Sequence, residues 1–192
     1  MGLRDVLFGR KKLKDPARER LFAISSARIT LQTELDLKPA GAAGVCFKSL
    51  SAAEFVRAEN ELQQLLDAVA QESGSKVERK SDEMGFEWIV LRDEGFEDLV
   101  ASVHLVASEL QDRGFGPQLL AALFPFEGGG FDQKRVSWIY GYKRGAFWPF
   151  VPTGKDQERD NAEELELKAK LENELPIEQD LTRWFGLFNA PV

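Results

Sequence analysis

Two four-residue turns constrain the fold of this chain more than any other feature. Asp82-Glu83-Met84-Gly85 separates Lys76–Lys80 from Phe86–Leu91, and Lys143-Arg144-Gly145-Ala146 separates Val136–Tyr142 from Phe147–Phe150. Each flanking run is short and apolar or alternating, and each turn carries a glycine, so both units read as β-hairpins. Four residues cannot form the crossover that a parallel pair needs, so the pairing is antiparallel. Phe86, Trp88 and Val90 then share one face by the period of two. Pro149 has no N–H for a ladder, which places its strand at an edge or at its end.

The periodicity switches to helical between and around the hairpins. Phe96, Leu99, Val100, Val103, Val106, Ala107 and Leu110 form one stripe, and Gly114 suits the residue just past a helix. Ser51-Ala52-Ala53-Glu54 is a capping box ahead of Phe55, Leu62, Leu65, Leu66 and Val69, a helix that stops before Ser73-Gly74. Asp15-Pro16 opens a short helix with Ala17, Leu21 and Ile24 inward. Asp156 is the expected cap of a helix to about Glu174, with Pro176 as its stop. Asp180 is the expected cap of a last short helix that puts Leu181, Trp184, Phe185 and Phe188 on one face. Gly44–Phe47 and Leu119–Phe126 read as strands. Ile29–Leu37 alternates like a strand, yet its Leu, Gln and Glu are equally good helix formers. The sum is an α+β fold, a two-layer sandwich of mostly antiparallel sheet with helices packed on it. The element order from Ser51 to Glu174 is also similar to that of type III secretion chaperones. Residues 1–14 read as a basic arm, 15–175 as the α+β domain, and 176–192 as an aromatic C-terminal helix on the domain or a partner.

A chain of 192 residues buries roughly 70% of its unfolded surface and needs neither disulfide nor metal to fold. Cys46 and His104 are its only cysteine and histidine. A zinc cluster needs three or four such ligands, and a disulfide needs two cysteines. A Ser-His-Asp site would need His104, which stands beside the apolar stripe with no motif around it. Gly128-Gly129-Gly130 lacks the Gly-Lys-Ser/Thr of a phosphate cradle and reads as a hairpin loop. Glu163, Glu164 and Glu166 read as a solvated helix face. No catalytic residue, metal or cofactor is therefore expected.

Charge is segregated. Residues 1–20 hold seven Lys/Arg and three Asp/Glu, net +4; residues 21–152 are net −6, and residues 153–192 net −5. The acidic total argues against nucleic acid, which demands a broad basic field. Residues 4–14 are a candidate contact for an anionic membrane surface. The first eight residues are too few and too charged for a secretory signal, and no uncharged run approaches the ~20 residues of a membrane span. A lone cysteine suits a reducing compartment. The expected location is the cytoplasm, peripheral to the inner face of the membrane.

The most suggestive surface is the second hairpin together with Arg159. Tyr142, Lys143, Arg144, Trp148, Phe150 and Arg159 combine cations with aromatic rings, a recurrent recognition pair for anions or peptides; the alternative is a solvated turn on a packed aromatic strand. Arg159 at a helix start is unfavourable for the dipole, so a carboxylate partner is expected at Asp160, Glu163 or the hairpin. Trp184, Phe185 and Phe188 are too apolar to stay in water and are candidate contacts for a partner or for a homodimer.

Six stretches carry a family resemblance: Gly44-Val45-Cys46-Phe47, Gly85-Phe86-Glu87-Trp88, Gly114-Phe115-Gly116-Pro117-Gln118-Leu119-Leu120, Tyr142–Phe150, Arg159–Leu165 and Asp180–Phe185. In these the chain resembles the PspAB family, PspA-associated proteins encoded near phage-shock-protein A homologues. The resemblance implies a cytoplasmic accessory factor of a membrane-stress system with a PspA-like coiled-coil protein as partner. It transfers no catalytic residue. The leading expectation is a non-catalytic adaptor acting through protein–protein contacts. The alternative is a small-ligand sensor or enzyme with an anion pocket near residues 142–150.

Overall fold

An isolated hairpin is marginal in water, so two hairpins in one chain need shared strands and an apolar face. A computed structural model, describing residues 19–48, 63–72, 74–128, 134–154 and 157–192, shows how they obtain both. A 3-10 turn at Arg20–Phe22 leads into α1 (Ala23–Glu34). Then come β1 (Leu37–Pro39), β2 (Ala42–Lys48), the helical residues 63–72 (α2), β3 (Lys76–Ser81) and β4 (Phe86–Arg92). The chain continues through α3 (Phe96–Leu110), β5 (Leu119–Gly128), β6 (Arg135–Gly141), β7 (Ala146–Phe150) and α4 (Asn161–Leu171), with a final 3-10 turn at Leu181–Arg183. The arm at 1–14, the Asp15-Pro16 helix start with Ala17, the capping box at 51–54 with Phe55 and Leu62, Ser73, Gly129, Gly130 and Asp156 lie outside the described residues.

The seven strands form one open sheet in the order β3-β4-β2-β5-β6-β7, with β1 on β5, and every strand pair in it is antiparallel. The path β2-α2-β3-β4-α3-β5 is a split βαβ arrangement, to which the β6–β7 hairpin adds two strands. Right-handed crossovers put α2 and α3 on the same side of such a sheet. The fold is thus α+β, as the hairpin spacing requires.

Strand register sorts the side chains into two faces. Ile89, Val45, Ala122, Tyr140 and Phe147 form one row across five strands. On this face Phe96 of α3 packs 6.0 and 5.4 Å from the rings of Phe124 and Phe126. α1 lies beside α3, with Phe22 4.8 Å from the His104 ring and Arg28 2.6 Å from Glu97. The opposite row is Val90, Gly44, Leu123, Ile139 and Trp148, and all its side chains are buried too. The segment 184–192 covers this second face.

Three expectations change. Ile29–Leu37 is split: α1 runs to Glu34, and only Leu37 enters a strand. Ile24, Ala27 and Leu31 are the buried positions, at helical spacing, while Ile29 is exposed. Asp36, with φ of 50°, makes the turn between the two elements. Helix α4 starts at Asn161 with Asp160 as its cap, whose carboxylate accepts from Glu163 N at 3.0 Å. The C-terminal aromatics do not share a helix. Asp180 caps only the single turn Leu181–Arg183, and Trp184 onward is irregular. One turn is far below the length at which a helix sustains itself, and Gly186 and Pro191 weaken it further. Pro149 stands on β7, whose outer edge is blunted by Ile177: Phe147 N donates to Pro176 O at 2.8 Å, and Glu178 N to Phe147 O at 2.9 Å.

Asp93, between β4 and α3, accepts from Gly95 N at 2.8 Å and from Ser75 Oγ at 2.8 Å. These bonds, the Gly95 N–H first, hold its carboxyl below the usual 3.8. A depressed folded value means the stabilisation is complete above about pH 4 and is lost as pH falls through the folded value. Asp93→Asn is therefore expected to be less stable than the parent near neutrality. Urea denaturation should show that gap shrinking as pH falls below about 4.

Candidate functional site

Arg159 organises the region where β7, α4 and the C-terminal segment meet. It lies before the helix, in an isolated bridge with Pro152. Its Nε donates to both carboxylate oxygens of Glu164 at 2.9 Å, and Nη2 lies 2.9 Å from Oε2. Nη1 donates to Trp184 O at 2.6 Å and Nη2 to Pro149 O at 3.5 Å, with the guanidinium 5.4 Å from the Phe150 ring centre. Glu164 is 2% exposed and also accepts from Val151 N at 2.9 Å. The carboxylate partner is therefore Glu164, one turn into α4, while Asp160 caps the helix and Glu163 pairs with Lys134.

The expected surface divides in two. Tyr142, Trp148 and Phe150 are buried, and burial raises the Tyr142 phenol well above its usual pKa. Lys143 and Arg144 are exposed at the turn. Arg144 lies 3.4 Å from Glu178, which is also 3.8 Å from Arg183; Arg183 is 3.0 Å from Asp180. Hydrogen bonds from Thr182, then the nearby Arg183 and Arg144, hold the Asp180 carboxyl below its usual range. Three cations and two carboxylates thus share one surface, built from the β6–β7 turn and residues 178–183. Leu181 is exposed within it.

From Trp184 the chain crosses the second face of the sheet as a strap. Trp184 is buried, with Nε1 donating to Glu178 O at 2.9 Å. Phe185 packs 4.7 Å from the Trp148 ring, whose Nε1 donates to Phe185 O at 3.0 Å. Phe188 meets Phe150 edge-on at 4.9 Å, and Arg135 donates to Val192 O. Two glycines allow this closeness. A Cβ on Gly44 would stand 2.5 Å from Val192 Cγ2 and 3.1 Å from Trp88, and one on Gly186 would stand 2.8 Å from the Phe150 ring.

Between the strap and the β3–β4 turn lies a cleft of about 220 Å³. Its walls are apolar, with Met84, Phe86, Trp88, Phe185, Leu187 and Phe188 among them. The register shift between Cys46 and Phe47 leaves Leu120 without a partner on β2, and Leu120 joins the lining. Asp82 closes one side. Its carboxylate accepts from Met84 N and Phe86 N at 2.9 Å and from Trp88 Nε1 at 2.8 Å. Cys46 sits in the wall, its thiol pushed up to about 12, by burial first and by the Asp82 charge second. Met84 at 72% and Phe185 at 47% exposure stand at the mouth.

Sequence reasoning missed Glu164, Glu178, Asp82 and Met84. Glu164 looked like one more solvated helix carboxylate, and only the fold brings Val151 and Arg159 to it. The Asp82–Gly85 turn did carry a signal, since an aspartate at a turn start commonly accepts from the next amides along the chain.

No group of metal-ligating side chains occurs among the described residues, and no helix among them is long and apolar enough to cross a membrane. The site is a surface with an apolar cleft in a split βαβ sheet protein. A family model described as PspAB, PspA associated protein B, matches residues 1–192. The chain belongs to that family. No curated protein and no solved structure matches it. The likeness to type III secretion chaperones therefore rests on element order alone.

Arg159→Met is expected to lower stability by roughly 3–5 kcal/mol, because it leaves Glu164 buried and unpaired. The double change Arg159→Met with Glu164→Leu should recover much of that loss, since an apolar pair removes the charge together with its partner. Chemical denaturation of both variants checks this.

Proposed function

We propose that this protein is a non-catalytic adaptor of a phage-shock-type envelope-stress system that docks a PspA-like coiled-coil protein. The family description supplies the association. The observation that carries the contact surface is the gathering of Lys143, Arg144 and Arg183, which outnumber their neighbours Glu178 and Asp180, beside exposed Leu181 and Phe185 on a chain whose net charge is −7. A coiled coil presents apolar seams flanked by charged positions, so a partner with an acidic flank complements this surface. The basic residues of 4–14 add attraction to an anionic membrane, about 1 kcal/mol for each residue near the surface, and the protein works at the cytoplasmic side. The anion-pocket alternative draws no support from Arg159, whose guanidinium is engaged by Glu164 and two backbone carbonyls.

The test is direct binding of the full chain to the purified PspA homologue of the same host, by calorimetry. Reversing Lys143, Arg144 and Arg183 to Glu should weaken binding at least about tenfold and flatten its salt dependence. Equal affinity of parent and variant contradicts this surface, and absence of binding by the parent contradicts the partner.

A further inference from the structure

We infer that the cleft between the strap and the β3–β4 turn is an anchor pocket, which receives apolar side chains from an amphipathic helix with an acidic flank. This deepens the adaptor reading by naming where such a partner inserts.

Size argues first. About 220 Å³ is below the roughly 300–1,000 Å³ usual for small-molecule sites, yet ample for one or two apolar side chains. Chemistry argues second. Asp82, the one carboxylate in the lining, already accepts three hydrogen bonds, so the walls offer an occupant mainly apolar contact. Interfaces concentrate binding energy in such pockets, filled by an anchor and ringed by near-neutral contacts.

Charge selects the occupant. Phe185 in the cleft wall packs on Trp148, and the turn that leads into Trp148's strand carries Lys143 and Arg144. Arg183 stands two residues before Phe185 on the strap side. A helix whose apolar seam enters the cleft therefore runs one flank past a surface where Lys143, Arg144 and Arg183 outnumber the carboxylates of Glu178 and Asp180, with Lys143 and Arg144 exposed at the turn, and glutamates there are favoured over lysines.

The strap is built to yield at this point. Its ends are fixed by Arg159 on Trp184 O and by Arg135 on Val192 O. Phe185 O is also held, by Trp148 Nε1 at 3.0 Å, but beyond it the bonds are long: Asn189 Nδ2 reaches Glu83 at 3.4 Å, and Ala190 N reaches Leu187 O within the strap at 3.4 Å. Its middle residues can shift to admit a side chain without breaking a sheet ladder.

The test uses the full chain and a fluorescent three-heptad peptide with a leucine seam and glutamates on one flank. Such a peptide repels copies of itself and stays free to bind. Anisotropy is expected to show binding that is at least tenfold weaker for the same seam flanked by lysines. Ala190→Trp, which fills the cleft, should weaken binding at least tenfold. Met84→Ser, at an exposed position that leaves folding intact, should weaken it several-fold and stands as the test if Ala190→Trp fails to fold. No binding of the glutamate peptide, equal binding of both peptides, parent-like binding by a folded Ala190→Trp, or, where that variant does not fold, parent-like binding by Met84→Ser overturns the proposal. Peptide binding without binding of the PspA homologue would remove that partner and keep the pocket; the reverse would remove the pocket and keep the partner.

Discussion

A sheet with helices packed on one face must keep water from the other, and in this molecule a nine-residue strap does so. The second face holds Trp88, Val90, Leu123, Ile139, Trp148 and Phe150, each worth about 1.5–3 kcal/mol if kept from water. Residues 184–192 make no ladder with these strands. They are held by side chains that reach backbone carbonyls: Arg159 to Trp184, Trp148 to Phe185, and Arg135 to Val192. Arg159 matters most of these, because the same guanidinium closes on buried Glu164 and so ties the strap to β7 and α4. A cover built this way is uneven in strength, and a cleft remains where it is weakest.

Local patterns in the sequence were enough for the elements that the backbone encodes locally. The two hairpins lie where their turns put them, and the stripe from Phe96 to Leu110 has the bounds of α3. The stretch after Ile24 misled because Ile29 is an exposed apolar residue on a helix, so counting apolar letters produced a strand period. The C-terminal aromatics misled for the opposite reason. Trp184, Phe185 and Phe188 fit a helical face, but the rings of Phe185 and Phe188 are claimed by Trp148 and Phe150 across the sheet, contacts between residues more than thirty positions apart.

The candidate site was half legible. Lys143 and Arg144 are exposed where a turn must project them, while Tyr142, Trp148 and Phe150 alternate into the two faces of the sheet and are buried. Arg159 was singled out for an unfavourable position at a helix start, and its buried carboxylate partner resolves that conflict. Nothing local marks Glu178, which joins Arg144 to Arg183 only after the strand edge has folded. Surfaces made by packing distant segments leave little trace in a single sequence, and this one is assembled from two, the β6–β7 turn and residues 178–183.

The middle of the strap, between the ends held by Arg159 and Arg135, opens separately from the sheet beneath it. Cys46, the chain's only cysteine, reports on this directly, because its thiol is pushed up to about 12 while covered. Once uncovered it regains the free-thiol pKa of about 8.5 and reacts. The measurement is the rate of Cys46 alkylation by iodoacetamide at about pH 8 across a urea series. A separately opening strap predicts labelling at low urea with little urea dependence, through an opening far cheaper than global unfolding. A labelling rate that tracks the global unfolding curve at every urea concentration would contradict it.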